Sequence, residues 1–285
     1  MSIAFVLQGG GSLAAGQVGM LRALLEAGVR PDLIVGSSAG AINAVAFAQD
    51  PTARGLARLE RLWAGLRRRT VFPLDPWNVV AGLAGRRDGL LSPRRLRVLL
   101  AGGLITRRLE DARIPVAVVA TDLATGDPVT LTRGRALDTL LASTSIPGLF
   151  PPVPIDGRLL SDGGVSADIP ILQAEALGAT TCYVLPAALP PAAPGTPRGA
   201  IAFLLHALNQ VFERTVATDL RAARAQVTML PTPKQQVASP FDFRHTKLLI
   251  AEGYAATRAA LTSVTLGSGR APAGTKGTVI ASEPA

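Results

Sequence analysis

Twice within its first 50 residues the chain runs from a short apolar stretch through glycines into a helical pattern, and this repetition restricts the fold more than any other feature. The first instance is IAFVL at 3–7, followed by QGGGS and by Val18, Leu21 and Leu25 at helical spacing, with Gly28 as the stop. The second is LIV at 33–35, followed by GSSAG and a small-residue helix over about 41–48. An extended run, a tight glycine turn and a returning helix make a βα unit. Consecutive βα units build a parallel sheet covered by helices. The alternation continues downstream, with strands expected at 114–120, 128–131, 181–185 and 227–230. Helices are expected over 51–69, 93–100, 135–142, 170–177, about 200–225 and 246–261. Three stretches break the pattern: 70–91, which mixes Pro, Gly, Trp and Arg as a cap or lid would; 145–164, a Pro- and Gly-punctuated loop with a short hairpin; and the low-complexity 185–197. The expected organisation is one domain over 1–265 with a cap-like insertion at about 70–92 and a flexible tail over 266–285.

Composition removes several classes of function. The single cysteine, Cys182, allows no internal disulfide or thiolate metal cluster, and within TTCYVL it reads as a small core residue. His206 and His245 are too few and too far apart to suggest a metal site. The chain opens directly on a strand without a basic leader, and no stretch reaches the length of a membrane span, so a cytoplasmic protein is expected. Charge is concentrated: 51–113 holds 14 Arg, no Lys and five acids, which accounts for the whole net charge of +9. A solvated helical face is one reading of this stretch, and attraction to an anionic surface is the other. Nucleic acid is disfavoured because aromatics that would stack on bases are nearly absent among these arginines. Peripheral contact with an anionic membrane through 51–113 is the partner expectation, and the oligomeric state is left open.

The second glycine turn spells G-x-S-x-G, with Ser38 between Gly36 and Gly40. The plain reading is a tight βα turn; the sharper one is a nucleophile elbow, which holds a serine hydroxyl out of the sheet. Its company favours the elbow. Gly9, Gly10 and Gly11 let backbone N–H groups converge at a helix N-terminus, where negative charge is favoured. A nucleotide site fails on sequence, because Ala14 spoils G-x-G-x-x-G and Gln17 stands where a P-loop needs lysine. A serine beside convergent amides suits acyl transfer, with the amides holding the oxyanion. Two bases are available. The order Ser38, Asp162, His245 fits a hydrolase triad on paper, but the elbow comes early for that fold, and His245 sits at a helix start. The other base is the carboxylate of Ser161-Asp162-Gly163-Gly164, which would need burial to raise its proton affinity.

Four blocks in order, GGGSLAAGQVGMLRALLEAGV, GSSAGAINA, TDLATGDPVTL and ASTSIPGLFPPVPIDGRLLSDGGVSADIP, resemble the patatin-like phospholipases across most of the sequence. The resemblance implies a three-layer α/β/α sandwich with a mainly parallel central sheet, and a Ser–Asp dyad that cleaves carboxylic esters of phospholipids or related lipids. It implies Ser38 as nucleophile in an elbow flanked by Gly36 and Gly40. Asp162 of the D-G-G motif, with Gly163 and Gly164, would be the base, and the amides of Gly9, Gly10 and Gly11 the oxyanion hole. No metal or organic cofactor is implied, and the partner is a lipid ester substrate. The alternative is a non-catalytic lipid- or partner-binding protein on the same fold. One departure is Leu13 and Ala14, where the family commonly has Arg and Gly; backbone donors survive the change, but the tuning of the loop alters. Asp122 and the run Ser143-Thr144-Ser145 also match family positions and read as structural, a turn cap and a helix-end support.

Overall fold

Strands that read as unbroken apolar runs must be covered on both faces. The computed structural model, which describes residues 1–73, 75–187, 210, 214–233, 239–267 and 278–279, puts three of them at the middle of a nine-stranded sheet. These are β1 (Ile3–Leu7), β2 (Leu33–Ser37) and β3 (Val116–Asp122). The others are β4 (Pro128–Leu131), β5 (Val153–Ile155), β6 (Arg158–Asp162), β7 (Thr181–Leu185), β8 (Gln226–Met229) and β9 (Thr278–Val279). The order is β5-β6-β3-β2-β1-β7-β8-β9, with β4 also paired to β3. From β3 across to β9 every neighbouring pair is parallel, whereas β4 and β6 each pair antiparallel with β3, and β5 pairs antiparallel with β6.

Period-two alternation splits the strand side chains between two cores. Phe5, Leu7, Ile34, Val118 and Ala120 pack on one side, against α1 (Gly16–Glu26), α2 (Ala39–Gln49), α3 (Ala53–Gly65), α7 (Ala136–Ser143) and a long C-terminal helix. Ala4, Val6, Val35, Val119 and Val184 pack on the other, against α8 (Gly164–Ala167), α9 (Ile171–Ala176) and helical residues 214–222. The result is a three-layer α/β/α sandwich. Cys182 lies in the second core, where burial pushes its thiol up to about 11 and keeps it protonated. Among the described residues no helix is long and apolar enough to cross a membrane.

Several boundaries differ from the sequence reading, each for a local reason. The glycine turn continues into a 3-10 helix over Gly11–Ala15 before α1 begins. The helix expected over 51–69 breaks where Leu66 turns extended, and a short α4 (Arg68–Val71) follows. The stretch expected to be irregular contains α5 (Pro76–Leu83), begun by Asp75, whose carboxylate accepts from the Trp77 amide at 3.0 Å, with Pro76 in the first turn. Then comes α6 (Arg94–Gly103). Asp162, expected in a turn, is the last residue of β6. The final helix, α10 (Thr246–Gly267), outruns its expected end, and Thr278–Val279 within the expected tail pairs with β8. The remainder of that tail, most of the low-complexity stretch and much of the helix expected over 200–225 lie outside the described residues.

Candidate active site

Ser38 is the hinge between β2 and α2, at φ 51° and ψ −126°, a conformation costly for any residue with a side chain, by roughly 1–3 kcal/mol. Its surroundings hold it there. The Ser38 amide donates to Ser143 Oγ at 2.9 Å, and that hydroxyl donates to the Val119 carbonyl at 2.6 Å. The flanking glycines are steric necessities, because a Cβ on Gly40 would stand 2.4 Å from the carbonyl oxygens of both Leu7 and Gln8. One on Gly36 would stand 2.7 Å from the Gly40 carbonyl. The turn is thus pressed against β1, and the Ser38 hydroxyl emerges half-buried at the C-terminal end of the sheet. Ser37 points the other way, fully buried, and its hydroxyl has no hydrogen-bond partner among the described residues.

The Ser38 hydroxyl donates to Asp162 Oδ2 at 2.8 Å. The second carboxylate oxygen accepts from the Gly164 amide at 2.8 Å, so both oxygens are oriented. Gly163 allows this turn: a Cβ there would lie 2.2 Å from the Val119 carbonyl. Burial raises the Asp162 carboxyl from 3.8 to about 7, against the lowering pull of the Gly164 and Ser38 hydrogen bonds and with a push from the charge of Asp168. A carboxyl with that value is one whose proton affinity matches neutral pH. His245 stands elsewhere in the hydrogen-bond pattern, with its Nε2 3.8 Å from Asp242, and Asp162 meets Ser38 without an intervening ring.

The glycine run lies beside the elbow, where a Cβ on Gly9 would be 3.2 Å from that of Ser38. Here one expectation is corrected. The Gly9 amide donates to the Asp168 carbonyl at 3.1 Å and is unavailable to an oxyanion. Gly10 (φ 145°) and Gly11 (φ 56°) hold conformations that suit glycine, and their amides make no hydrogen bond among the described residues. Ser12 N–H donates to the Pro240 carbonyl at 2.7 Å, which pins the loop from outside. Leu13 and Ala14 are buried in the first core, so the departure from the resembling block is absorbed by packing. Asp122 accepts from the Ala124 amide at 2.9 Å and so acts as a turn cap.

Behind the loop runs a buried polar chain that sequence reasoning did not find. The Trp63 indole N–H donates to Asn43 Oδ1 at 2.7 Å, and Asn43 Nδ2 donates to Gln17 Oε1 at 2.9 Å. Gln17 Nε2 reaches the Gln8 carbonyl at 2.8 Å and that of Leu185 at 2.9 Å. Gln8 Nε2 donates to Asp168 Oδ2 at 2.7 Å, and its Oε1 accepts from the Ala187 amide at 2.8 Å. Burial raises Asp168 to about 6, opposed by the Gln8 hydrogen bond. The available signal was a glutamine directly before three glycines, with Gln17 and Asn43 on otherwise apolar helix faces.

From Ser38 and Gly11 an apolar cavity of about 70 Å³ extends beneath the arginine-rich segment. Its walls include Ile42 of α2, Trp63 and Leu66 near the end of α3, Phe72 after α4, Leu100 of α6, Phe150 and Phe243. Among the described residues no charged side chain lines it, and walls of this kind suit an apolar group.

A family model described as Patatin-like phospholipase matches residues 5–175. Patatin-like phospholipase domain-containing protein 7 of Rattus norvegicus is 31% identical over 180 residues, covering 62% of this chain and 13% of that protein. An uncharacterized NTE family protein of Mycobacterium tuberculosis is 31% identical over 283 residues, covering 91% of this chain and 46% of that protein. The chain therefore spans less than half the length of either relative. Among solved structures, that of VipD from Legionella pneumophila aligns at TM-score 0.45 and 14% identity over 92% of this chain and 67% of that one.

Proposed function

The chain belongs to the patatin-like phospholipase family, a family of lipid hydrolases, and on that premise we propose that it is a serine acyl hydrolase working through Ser38 and Asp162 on carboxylic esters of phospholipids or related lipids. The observation that carries the reading is the 2.8 Å hydrogen bond between a strained serine and a buried carboxylate, at the end of an apolar cavity.

In this mechanism Asp162 takes the Ser38 proton as Oγ attacks the ester carbonyl, and the acyl chain lies among Ile42, Phe72 and Phe150. The negative charge that develops on the carbonyl oxygen is met by the amides of Gly10 and Gly11, already oriented at the start of the 3-10 helix. Collapse breaks the ester C–O bond, and Asp162 returns its proton to the departing alcohol. The same carboxylate then draws a proton from water, whose oxygen attacks the acyl-serine; collapse frees the acid, and Asp162 returns that proton to Ser38 Oγ. A base with a raised pKa can serve in both half-reactions near neutral pH. A fluorophosphonate probe tests the proposal directly. Labelling at Ser38, absent in Ser38→Ala, together with turnover of an ester series, is the expected result. A folded chain that takes no label and turns over no ester leaves the binding-protein alternative.

A further inference from the structure

The helix α5, PWNVVAGL, contains no charged residue and buries none of its side chains. Trp77 is 83% exposed, Val80 59% and Leu83 76%, and their spacing of three gathers them on one side of the helix. A short helix on a protein in water normally turns such residues inward. This one is held at its ends instead. Asp75 caps its start, and near its end Gly82 abuts Gly89 and Leu90. The following strap is stitched to the cavity wall, with Leu90 N–H donating to the Gly148 carbonyl at 3.1 Å and Leu91 N–H to that of Leu149 at 2.8 Å. Phe150, next in that wall, lines the cavity and packs on Phe72, ring centres 5.8 Å apart. The outward apolar face is therefore built beside the wall of the cavity that ends at Ser38.

Arginines flank it along the chain. Residues 67–97 hold eight Arg against two Asp. Arg67 is engaged locally, donating to the carbonyls of Ala64 and Leu66 at the end of α3. Arg97 approaches Asp138 at 3.4 Å. Arg68, Arg69, Arg86, Arg87, Arg94 and Arg95 are exposed and form no ion pair among the described residues. Arg95 donates to the Arg69 carbonyl at 3.4 Å, which brings the start of α6 against α4. Of the two acids, Asp75 is occupied with its own helix and Asp88 lies in the exposed turn after Arg87.

From this exposed apolar helix and the exposed arginines that flank it in sequence we infer that the segment forms a docking surface for an anionic lipid bilayer. Trp77, Val80 and Leu83 enter the headgroup–acyl boundary while the guanidinium groups meet lipid phosphates. A nucleic-acid backbone would match the charge but would leave Val80 and Leu83 in water. An anionic bilayer satisfies both halves of the surface. The inference deepens the hydrolase reading by naming where its substrate lies, and bilayer binding can be measured separately from it.

The experiment uses the full chain carrying Ser38→Ala, so that binding is read without turnover. Vesicles of phosphatidylcholine alone are compared with vesicles that also contain phosphatidylglycerol, by co-sedimentation and tryptophan emission at low and high salt. Expected is selective binding to the phosphatidylglycerol vesicles that weakens with salt, since exposed charges more than about 10 Å apart are screened at 0.1 M. Emission should shift to the blue because Trp77 leaves water, and Trp77→Phe should remove the shift, since the other tryptophan, Trp63, is already buried. Replacing Arg68, Arg69, Arg86 and Arg87 together by Gln should weaken binding about fivefold per engaged charge, on the order of 100-fold when three engage. Trp77→Gln with Leu83→Gln should weaken it at least about tenfold. In the Ser38 background the same variants should hydrolyse a soluble short-chain ester at unchanged rates, which shows that they fold. Equal binding to both vesicle types at every salt concentration overturns the inference, as does vesicle binding indifferent to the four arginines. Dimerisation through α5 without vesicle binding assigns the surface to a second copy and also overturns it. Failure of Ser38 to react with a fluorophosphonate would sink the hydrolase reading and leave the vesicle result standing.

Discussion

The turn that carries Ser38 and the segment that carries Trp77 meet across one apolar cavity but are built in opposite ways. At the turn, backbone determines everything: Gly36, Gly40 and Gly163 sit where a Cβ would strike a carbonyl, and Ser38 holds a strained conformation through Ser143. In the segment 68–97, α5 leaves its apolar side chains in solvent, and six arginines lack an ionic partner among the described residues. The first arrangement makes sense for groups that must not move between one turnover and the next. The second makes sense for a surface completed by something outside the chain. On the proposed function, chemistry and access to substrate would fall to different layers of structure, and each could be disturbed without the other.

The largest effect expected is on rate. Asp162→Asn keeps the shape of the carboxylate: its amide can still accept from Gly164 and would then donate to Ser38, leaving the hydroxyl with no proton acceptor. Ester hydrolysis should fall by on the order of 10⁴-fold, as when a serine hydrolase loses its correct acceptor. His245→Ala should retain nearly full activity, because that ring associates with Asp242. Steady-state kinetics on a soluble ester decide the matter. Comparable losses in both variants would restore a histidine to the mechanism.

The same carboxylate links pH to stability. Its folded value, about 7, lies above the ordinary 3.8, so between these values the folded state holds the proton more tightly than the unfolded chain does. Stability from this group therefore falls as pH rises from about 4 to about 7, by up to roughly 4 kcal/mol if the whole shift is realised. Asp162→Asn should raise the melting temperature at pH 8 and leave it unchanged at pH 3, where Asp162 is protonated in both states. In the parent chain kcat/KM should climb through the same range and level off above about pH 7, once the base is ionised. A variant less stable than the parent at pH 8 would show that the ionised carboxylate is welcomed by the fold, contrary to its burial.

Glycine substitutions sharpen the contrast between the two regions. At Gly40 a methyl group would lie 2.4 Å from two carbonyl oxygens of β1 and the residue after it, so Gly40→Ala should cost about 3 kcal/mol or prevent folding. At Gly85, after α5, the backbone is left-handed (φ 68°) but nothing lies within 4 Å of a new Cβ. Gly85→Ala should therefore cost only about 1 kcal/mol, from backbone strain alone. Denaturant unfolding of the two variants reads the difference. Equal losses would mean that the cap is as tightly determined as the elbow.

How much of this was legible in the sequence follows the same division. The elbow, the glycine run and the D-G-G turn were readable because each requires glycine at fixed positions, and steric requirements of that kind leave a local trace. The unbroken apolar runs of β1, β2 and β3, alternating with helical patterns, made the sheet legible as well. The role of Gly9 was misjudged, since a run of glycines does not show which amide already has a partner, and that partner, Asp168, is distant in sequence. The chain from Trp63 to Asp168 was invisible because its members meet only after four separate elements have packed. Helix α5 went unread because PWNVVAGL, with Asn78 as its one polar residue, lacks the polar face by which a surface helix is recognised. Its start signal, an aspartate before a proline, was present at Asp75-Pro76.

The smallest effect tests a polar path that runs from the cavity wall to the glycine run. Trp63 belongs to α3, lines the cavity and donates to Asn43, which hands the contact through Gln17 to the backbone of Gln8, one residue before the glycine run. Trp63→Phe keeps an aromatic wall and removes the donor, leaving Asn43 Oδ1 buried without its partner. The expected loss is about 1–2 kcal/mol in stability, the usual cost of an orphaned buried acceptor. Activity on a soluble ester should fall less than tenfold, because Ser38, Asp162 and the amides of Gly10 and Gly11 keep their own supports. Asn43→Ala and the double variant complete a cycle that isolates the pair, with a coupling of about 0.5–1.5 kcal/mol if the hydrogen bond carries the effect. A coupling near zero with an undiminished loss of stability would place the contribution of Trp63 in packing alone. A fall in kcat approaching that of Asp162→Asn would instead mean that the glycine run depends on α3, through Asn43 and Gln17, for its geometry, and that its rigidity is not set at the turn alone.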